Sequence, residues 1–310
     1  MTSPSRSTGL PATRDLTTSR PAPVRPSVFG DLRQITTELW QFRELLGQLA
    51  RRDIKIRYKQ AVMGFAWALF MPILVVAAGL IVRLALATVG GLDLNRADAG
   101  ALAAKGWSWS FFVGAIGFAT ASLTANMGLV TKIYFPREVL PIASVTAQAF
   151  DSSIAAIALA IALPFLGLQW TPQLLWVPLL LVLLIAFTVA TSLFLSCANL
   201  FFRDVKYIVQ VVLTFGIFFT PVLFEPSVLG ARGAELVMLN PLAPILEGIR
   251  LAAFQGHSLL EPLTVIGRKG GAVLAWQPWY LAWSAAWAIG GLALSSLLFH
   301  RAEYAFAEYV

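Results

Sequence analysis

Charge, cysteine and histidine are all scarce in this chain. Only 13% of its 310 residues are charged, against 58% hydrophobic, with a mean hydropathy of +0.74. A soluble domain carries about 25% charged residues, so this balance excludes one and indicates a polytopic membrane protein. The single cysteine, Cys197, excludes an internal disulfide and a Cys-based metal site. It lies in an apolar run and reads as a buried free thiol. His257 and His300 are far apart and unaccompanied by cysteine, so no metal site is expected. No Gly-Lys dipeptide occurs, which excludes a Walker A phosphate loop and with it a self-contained ATPase. No Asp-x-Asp pair offers a divalent-metal and nucleotide-sugar site, and nothing singles out a Ser–His–Asp arrangement. The chain reads as a conduit, not an enzyme.

What it has instead is long uncharged runs. Residues 51–59 carry Arg51, Arg52, Lys55, Arg57 and Lys59 against one acid, Asp53, and Ala61 to Val82 are then 22 residues without a charge. As a helix that run spans about 33 Å, enough for a hydrocarbon core of about 30 Å. A basic cluster leading into such a run marks a membrane helix approached from the cytoplasm. The net charge of +7 is concentrated there, with 11 of the 23 Lys and Arg in residues 1–60. Anionic headgroups therefore explain it better than nucleic acid does.

Residues 1–28 are rich in Ser, Thr, Pro and Arg and lack an apolar core. They read as a disordered cytoplasmic tail, with an organellar transit peptide as the alternative. Within residues 29–60, Leu32, Ile35, Leu39, Phe42, Leu46 and Leu49 fall on one stripe. The spacing predicts an amphipathic helix lying in the membrane plane, with a polar face open to a cytoplasmic partner. Six spans follow within residues 61–300: 61–82, 106–131, 140–166, 173–200, 207–224 and 279–299. The uncharged stretch from Ser152 to Phe202 is 51 residues long, too long for one crossing, and Gly167 to Pro172 supplies the break. Arg96 and Lys105 fall in the outer loop between the first two spans. Residues 225–278 mix charge with short apolar runs and read as short re-entrant outer helices. On this parsing 16 Lys and Arg lie inside and six outside. Both termini are then cytoplasmic, with residues 301–310 as the inner C-terminus. The fold class expected is an all-α integral membrane protein.

Asp151 is the one acid expected inside a span. An ionisable group there either marks a substrate pathway or bonds a neighbouring helix, and both readings stay open. Aromatic residues gather near span ends: Tyr58, Phe65 and Trp67, then Trp107, Trp109, Phe111 and Phe112, then Tyr134 and Phe135. Such rings form either an ordinary interfacial belt or stacking surfaces for the apolar faces of sugar rings.

Five stretches recur in a familiar order: RRDIKIRYKQAVMGFAWALFMP at 51–72, YFPREVLP at 134–141, NLFFRDVKY at 199–207, TPVLF at 220–224 and LNPLAPILEGIR at 239–250. Together they resemble the permease subunits of ABC-2 transporters that export polysaccharides such as O-antigen, teichoic acid or capsule. Met71 before Pro72, where an Asn-Pro pair is common, and the long N-terminal tail depart from that pattern.

The resemblance implies a homodimer of six-span subunits around a channel in the cytoplasmic membrane. It also implies two copies of a separate ATPase subunit, which bind ATP and Mg, and a lipid-linked polysaccharide as cargo. No cofactor, metal or nucleic acid is expected on this chain. The resemblance places coupling to the ATPase at Lys132, Tyr134, Phe135, Pro136, Arg137 and Glu138, with a second contact at Arg203 and Asp204. Substrate entrance and channel are expected at Arg57, Tyr58, Lys59, Trp67, Phe111, Phe112 and Asp151. The counter-charge of the basic cluster is either anionic headgroups or the pyrophosphate of an incoming lipid-linked glycan. Competing readings are an ABC-2 exporter of drugs or small lipids and a membrane glycosyl or prenyl transferase.

Overall fold

The computed structural model describes residues 28–59, 66–90, 95–132, 135–266 and 271–303. The expected tail, up to residue 27, lies outside the described residues, as do Tyr134 and residues 304–310. The N-terminal segment is two helices, α1 (Val28–Gln41) and α2 (Arg43–Tyr58), broken at Phe42. The basic run, up to Tyr58, is therefore the end of α2. The apolar stripe is present, and the protein itself covers it. Ile35 and Leu49 are buried, and Leu39, Phe42 and Leu46 pack on a cluster containing Val139, Leu140, Leu193, Leu200 and Phe299. The face α1 turns outward carries Phe29 and Trp40, both exposed.

Helix α3 (Ala66–Gly90) contains Pro72. Helix α4 (Arg96–Thr120) starts about two and a half turns before Lys105, the last charge of the expected loop, and the Asn95 amide donates to Asp98 Oδ2 at 3.3 Å. That carboxylate satisfies one of the donors left bare at a helix start. Lys105 consequently sits inside the helix, buried, and not in an outer loop. Two single turns, α5 (Ser122–Ala125) and α6 (Met127–Val130), lead to α7 (Val139–Ala162). A 3₁₀ turn and Gly167 close α7, and α8 (Trp176–Phe201) returns. Gly167 has φ +81°, and a Cβ there would stand 2.9 Å from the Ala97 backbone. Only glycine meets both demands without strain.

After α9 (Val205–Phe219) come α10 (Gly230–Met238), α11 (Leu242–Phe254), two strands and α12 (Pro278–Ala302). Strands β1 (Leu263–Ile266) and β2 (Ala272–Trp276) pair antiparallel, so the all-α expectation needs correction in this stretch. Strands of four and five residues carry too little period-2 pattern to stand out among apolar helices. Helix α11 is buried along its whole length, packed between α4 and α8, and is not a surface helix.

Two apolar clusters hold the bundle. One joins α4, α8, α11 and the hairpin through Leu102, Ile116, Leu180, Leu246 and Trp276. The other joins α2, α7, α8 and α12 at the end that carries the N-terminal helices. Among the described residues, Val139–Leu166, Pro172–Phe201 and Pro278–Ala302 are long and apolar enough to cross a membrane. Pro72–Val82 and Val205–Phe219 are shorter apolar helices. The molecule is thus a mostly helical, multi-pass membrane protein.

Candidate functional site

The end of α2 meets the middle of α4 and α7 around a cavity of about 570 Å³. Arg57, Tyr58, Trp67, Val75, Trp109, Ser110, Phe118, Gln148 and Asp151 are among its lining residues. This size falls in the range of small-molecule sites. Helical period explains the α4 contribution. Residues 109, 110, 113, 114 and 118 lie on one face and line the cavity, while Phe111, Phe112, Ala115, Ile116 and Ala119 face the core.

The polar wall is a connected network. Arg57 donates through Nη1 to Asp151 Oδ2 and to Gln148 Oε1, the latter at 2.8 Å. The hydroxyl of Tyr58 donates to Asp151 Oδ1 at 2.8 Å. Burial, reinforced by that bond, pushes the Tyr58 phenol above its ordinary range, so it remains a neutral donor at physiological pH. The Arg57 guanidinium lies 3.6 Å from the centroid of the Phe118 ring, a cation–π geometry. Gln148 reaches this position because α4 has a glycine opposite it: a Cβ at Gly114 would lie 2.6 Å from Gln148 Cδ. Trp67, also in the lining, stands edge-on to Phe70, with centroids 5.5 Å apart.

The structure thus brings together four of the seven residues expected at the entrance and channel: Arg57, Tyr58, Trp67 and Asp151. Lys59 is exposed at the end of α2 and outside the cavity lining. Phe111 and Phe112 are buried in the core, Phe112 stacking on Phe187 at 5.9 Å. Sequence reading missed Gln148 and Ser110. Gln148 lies three residues before Asp151 on the same helix, and that spacing was the available signal.

The residues expected to couple to an ATPase lie at the end that carries α1 and α2. Lys132, Arg203 and Asp204 are exposed there, while Phe135, Pro136 and Glu138 are buried and Tyr134 lies outside the described residues. Arg137 binds the end of α12, its amide donating to Glu303 Oε1 at 3.3 Å and Nη1 to the Glu303 carbonyl at 2.9 Å. His300 Nδ1 lies 3.5 Å from Glu138 Oε1, and Arg301 donates to Asp31 of α1 at 3.1 Å. Burial pushes the Glu138 carboxyl up to about 7, with the Glu303 charge adding to the effect and His300 opposing it. Glu138, His300 and Glu303 each bring a ligand atom within 4.8 Å of the others. Arg137 already engages Glu303, so the group reads as an ion-pair junction. His300 is therefore not isolated, as spacing implied, but meets two carboxylates across the fold.

A second charged cluster lies toward the opposite end. Lys105 Nζ approaches Glu247 Oε2 at 3.4 Å and donates to the Phe224 carbonyl at 3.0 Å. Arg250 donates to Glu247 Oε1 through both Nε, at 2.8 Å, and Nη2, at 2.6 Å. Asp151 is thus not the only buried acid among the described residues, since Glu247 is buried on α11, outside the expected spans.

These features define a class: a multi-pass helical membrane protein with a ligand-sized, aromatic-lined cavity between its helices. The chain belongs to the ABC-2 type transporter family, which it matches over residues 44–254. It is 30% identical over 249 residues to the O-antigen export system permease protein RfbA of Myxococcus xanthus, covering 78% of this chain and 93% of that protein. Two proteins of the same name from Klebsiella pneumoniae are 25% and 24% identical. The first alignment covers 72% of this chain and 85% of its relative, the second 86% and 94%.

Proposed function

We propose that this chain is the permease subunit of an ABC transporter that exports a polysaccharide of the O-antigen kind across the cytoplasmic membrane. The observation that carries this reading is the similarity, over 72% to 86% of this chain, to three proteins named as O-antigen export permeases. The cavity supports it, since an aromatic slot with a mixed donor and acceptor wall suits a hydroxyl-rich cargo. A separate ATPase subunit, binding ATP and Mg, supplies the energy. It meets the end bearing Lys132, Phe135, Pro136, Arg137, Glu138, Arg203 and Asp204. In the working unit two copies of the chain pair with two ATPase subunits. The helices α3, α4, α7, α8, α9 and α12 serve as six spans, with both termini cytoplasmic.

The test is deletion of the gene in its host, with restoration by the wild-type gene. The expected outcome is loss of surface polysaccharide and its accumulation, lipid-linked, inside the cell. Normal surface polysaccharide with loss of drug efflux would replace this reading with a small-molecule exporter.

A further inference from the structure

We infer that the cavity between α2, α4 and α7 binds an uncharged sugar ring, and that Arg57 and Asp151 recognise its hydroxyl groups rather than a phosphate. The inference rests on the glycan-export reading for its class of ligand and adds which part of the cargo occupies this site.

Arg57 taken alone reads as a phosphate ligand, one cation in a basic run beside a membrane span. Its surroundings exclude that role. Its charge is already met by Asp151, whose carboxylate also accepts from Tyr58. The two side chains are 15% and 11% exposed. A diphosphate arriving at Arg57 would have to displace Asp151 and leave a nearly buried carboxylate beside a dianion, with both desolvation and repulsion opposing it. A sugar ring meets no such barrier. Each hydroxyl both donates and accepts, and the wall offers both functions: the guanidinium, the carboxylate and the Gln148 amide.

The rest of the lining agrees. Ser110 Oγ is buried at the cavity with no hydrogen-bond partner among the described residues, a capacity that a ligand hydroxyl would satisfy. Among the aromatic rings of the lining, Trp67 is 43% exposed and offers a surface suited to the C–H face of a pyranose, while Trp109 is nearly buried and Phe118 already carries the Arg57 guanidinium. Cations suited to a charged group lie elsewhere: Arg51, Lys55 and Lys59 are exposed along α2. Any phosphate on the cargo is accommodated there, outside the cavity.

The test uses the full chain in lipid nanodiscs, with a panel of methyl hexopyranosides and inorganic pyrophosphate as probes. Saturation-transfer NMR and tryptophan fluorescence report binding. At least one glycoside is expected to bind saturably. Asp151→Asn and Gln148→Ala should weaken it at least tenfold, and Trp67→Ala, on a side chain 43% exposed and so safe for folding, at least fivefold. Pyrophosphate should not compete. Binding of no glycoside by the monodisperse wild-type chain overturns the inference. So does pyrophosphate competition that Arg57→Gln abolishes, or glycoside affinity unchanged in Trp67→Ala. Surface glycan in cells separates the two failures. Export that depends on the gene, without glycoside binding, sinks only the sugar site. Export independent of the gene sinks the transport reading and leaves a positive glycoside result standing.

Discussion

Two of the buried charge networks among the described residues look alike on paper and differ in what surrounds them. Lys105, Glu247 and Arg250 have side chains 3%, 1% and 6% exposed, and their partners are one another, the Phe224 carbonyl and Glu225, 3.8 Å from Arg250. Arg57 and Asp151 are also ion-paired, yet they line a cavity that carries aromatic, aliphatic and hydroxyl side chains as well. A closed network has its hydrogen bonding satisfied from within, so its work is to fix α11 against α4. An open one retains faces that a ligand can use. Burial of charge in a membrane domain therefore does not by itself mark a pathway; burial beside unfilled, chemically mixed space does.

Removing an acid from the closed network should have the largest effect. Glu247→Leu strands Lys105 in the core and leaves Arg250 only the more distant Glu225, a loss of about 3–5 kcal/mol, read as loss of monodisperse protein after detergent extraction. If this variant extracts and melts like wild type, the closed network is not structural and the contrast collapses. In the open network the balance should reverse. Asp151→Asn should lower glycan export at least about tenfold, as expected for a lost hydrogen bond to a charged group, with membrane abundance within about twofold. Equal losses of export and abundance would make the second network as structural as the first.

Gly114→Ala probes the open site more gently. The new methyl meets the far end of Gln148, which swings away while the fold stands. Export should fall about two- to fivefold with an unchanged melting temperature, the equivalent of one ordinary hydrogen bond. Melting well below wild type would show that the glycine serves helix packing instead.

The smallest effect concerns Glu138, buried like the closed network but with neither carboxylate oxygen in a hydrogen bond among the described residues. Its carboxyl is held at about 7 in the folded chain against 4.5 for an ordinary glutamate. The folded state thus keeps a proton that the unfolded state releases. The associated stability is complete below pH 4.5 and lost as pH rises through 7. Melting temperature in nanodiscs should fall over that interval, and Glu138→Gln should flatten the slope. An equal slope in both proteins would assign the pH dependence to another group.

Much of this architecture was legible from charge alone. The uncharged runs located the long helices, and Gly167 to Pro172 located the break between α7 and α8. Asp151, Arg57, Tyr58 and Trp67 were singled out because ionisable and amphipathic groups beside apolar runs are costly and thus informative. What escaped notice has a common cause. Treating Lys105 as a loop marker assumed that a lysine must reach water, and Glu247 removes that need from 142 positions away. Phe111 and Phe112 were grouped with Trp109 by proximity in sequence, but α4 is apolar all round, so no periodicity separates its core face from its cavity face. The hairpin was hidden by short strands, and Gln148 by its lack of charge.

The junction at Arg137, Arg301 and Glu303 carries a consequence for how the protein is made. Arg301 reaches back 270 residues to Asp31, and Glu303 reaches back 166 to Arg137. A chain emerging from the ribosome must hold α1 and the turn before α7 unclosed until α12 is delivered, which makes this a contact of very long sequence separation. The surface proposed to meet the ATPase is therefore completed last.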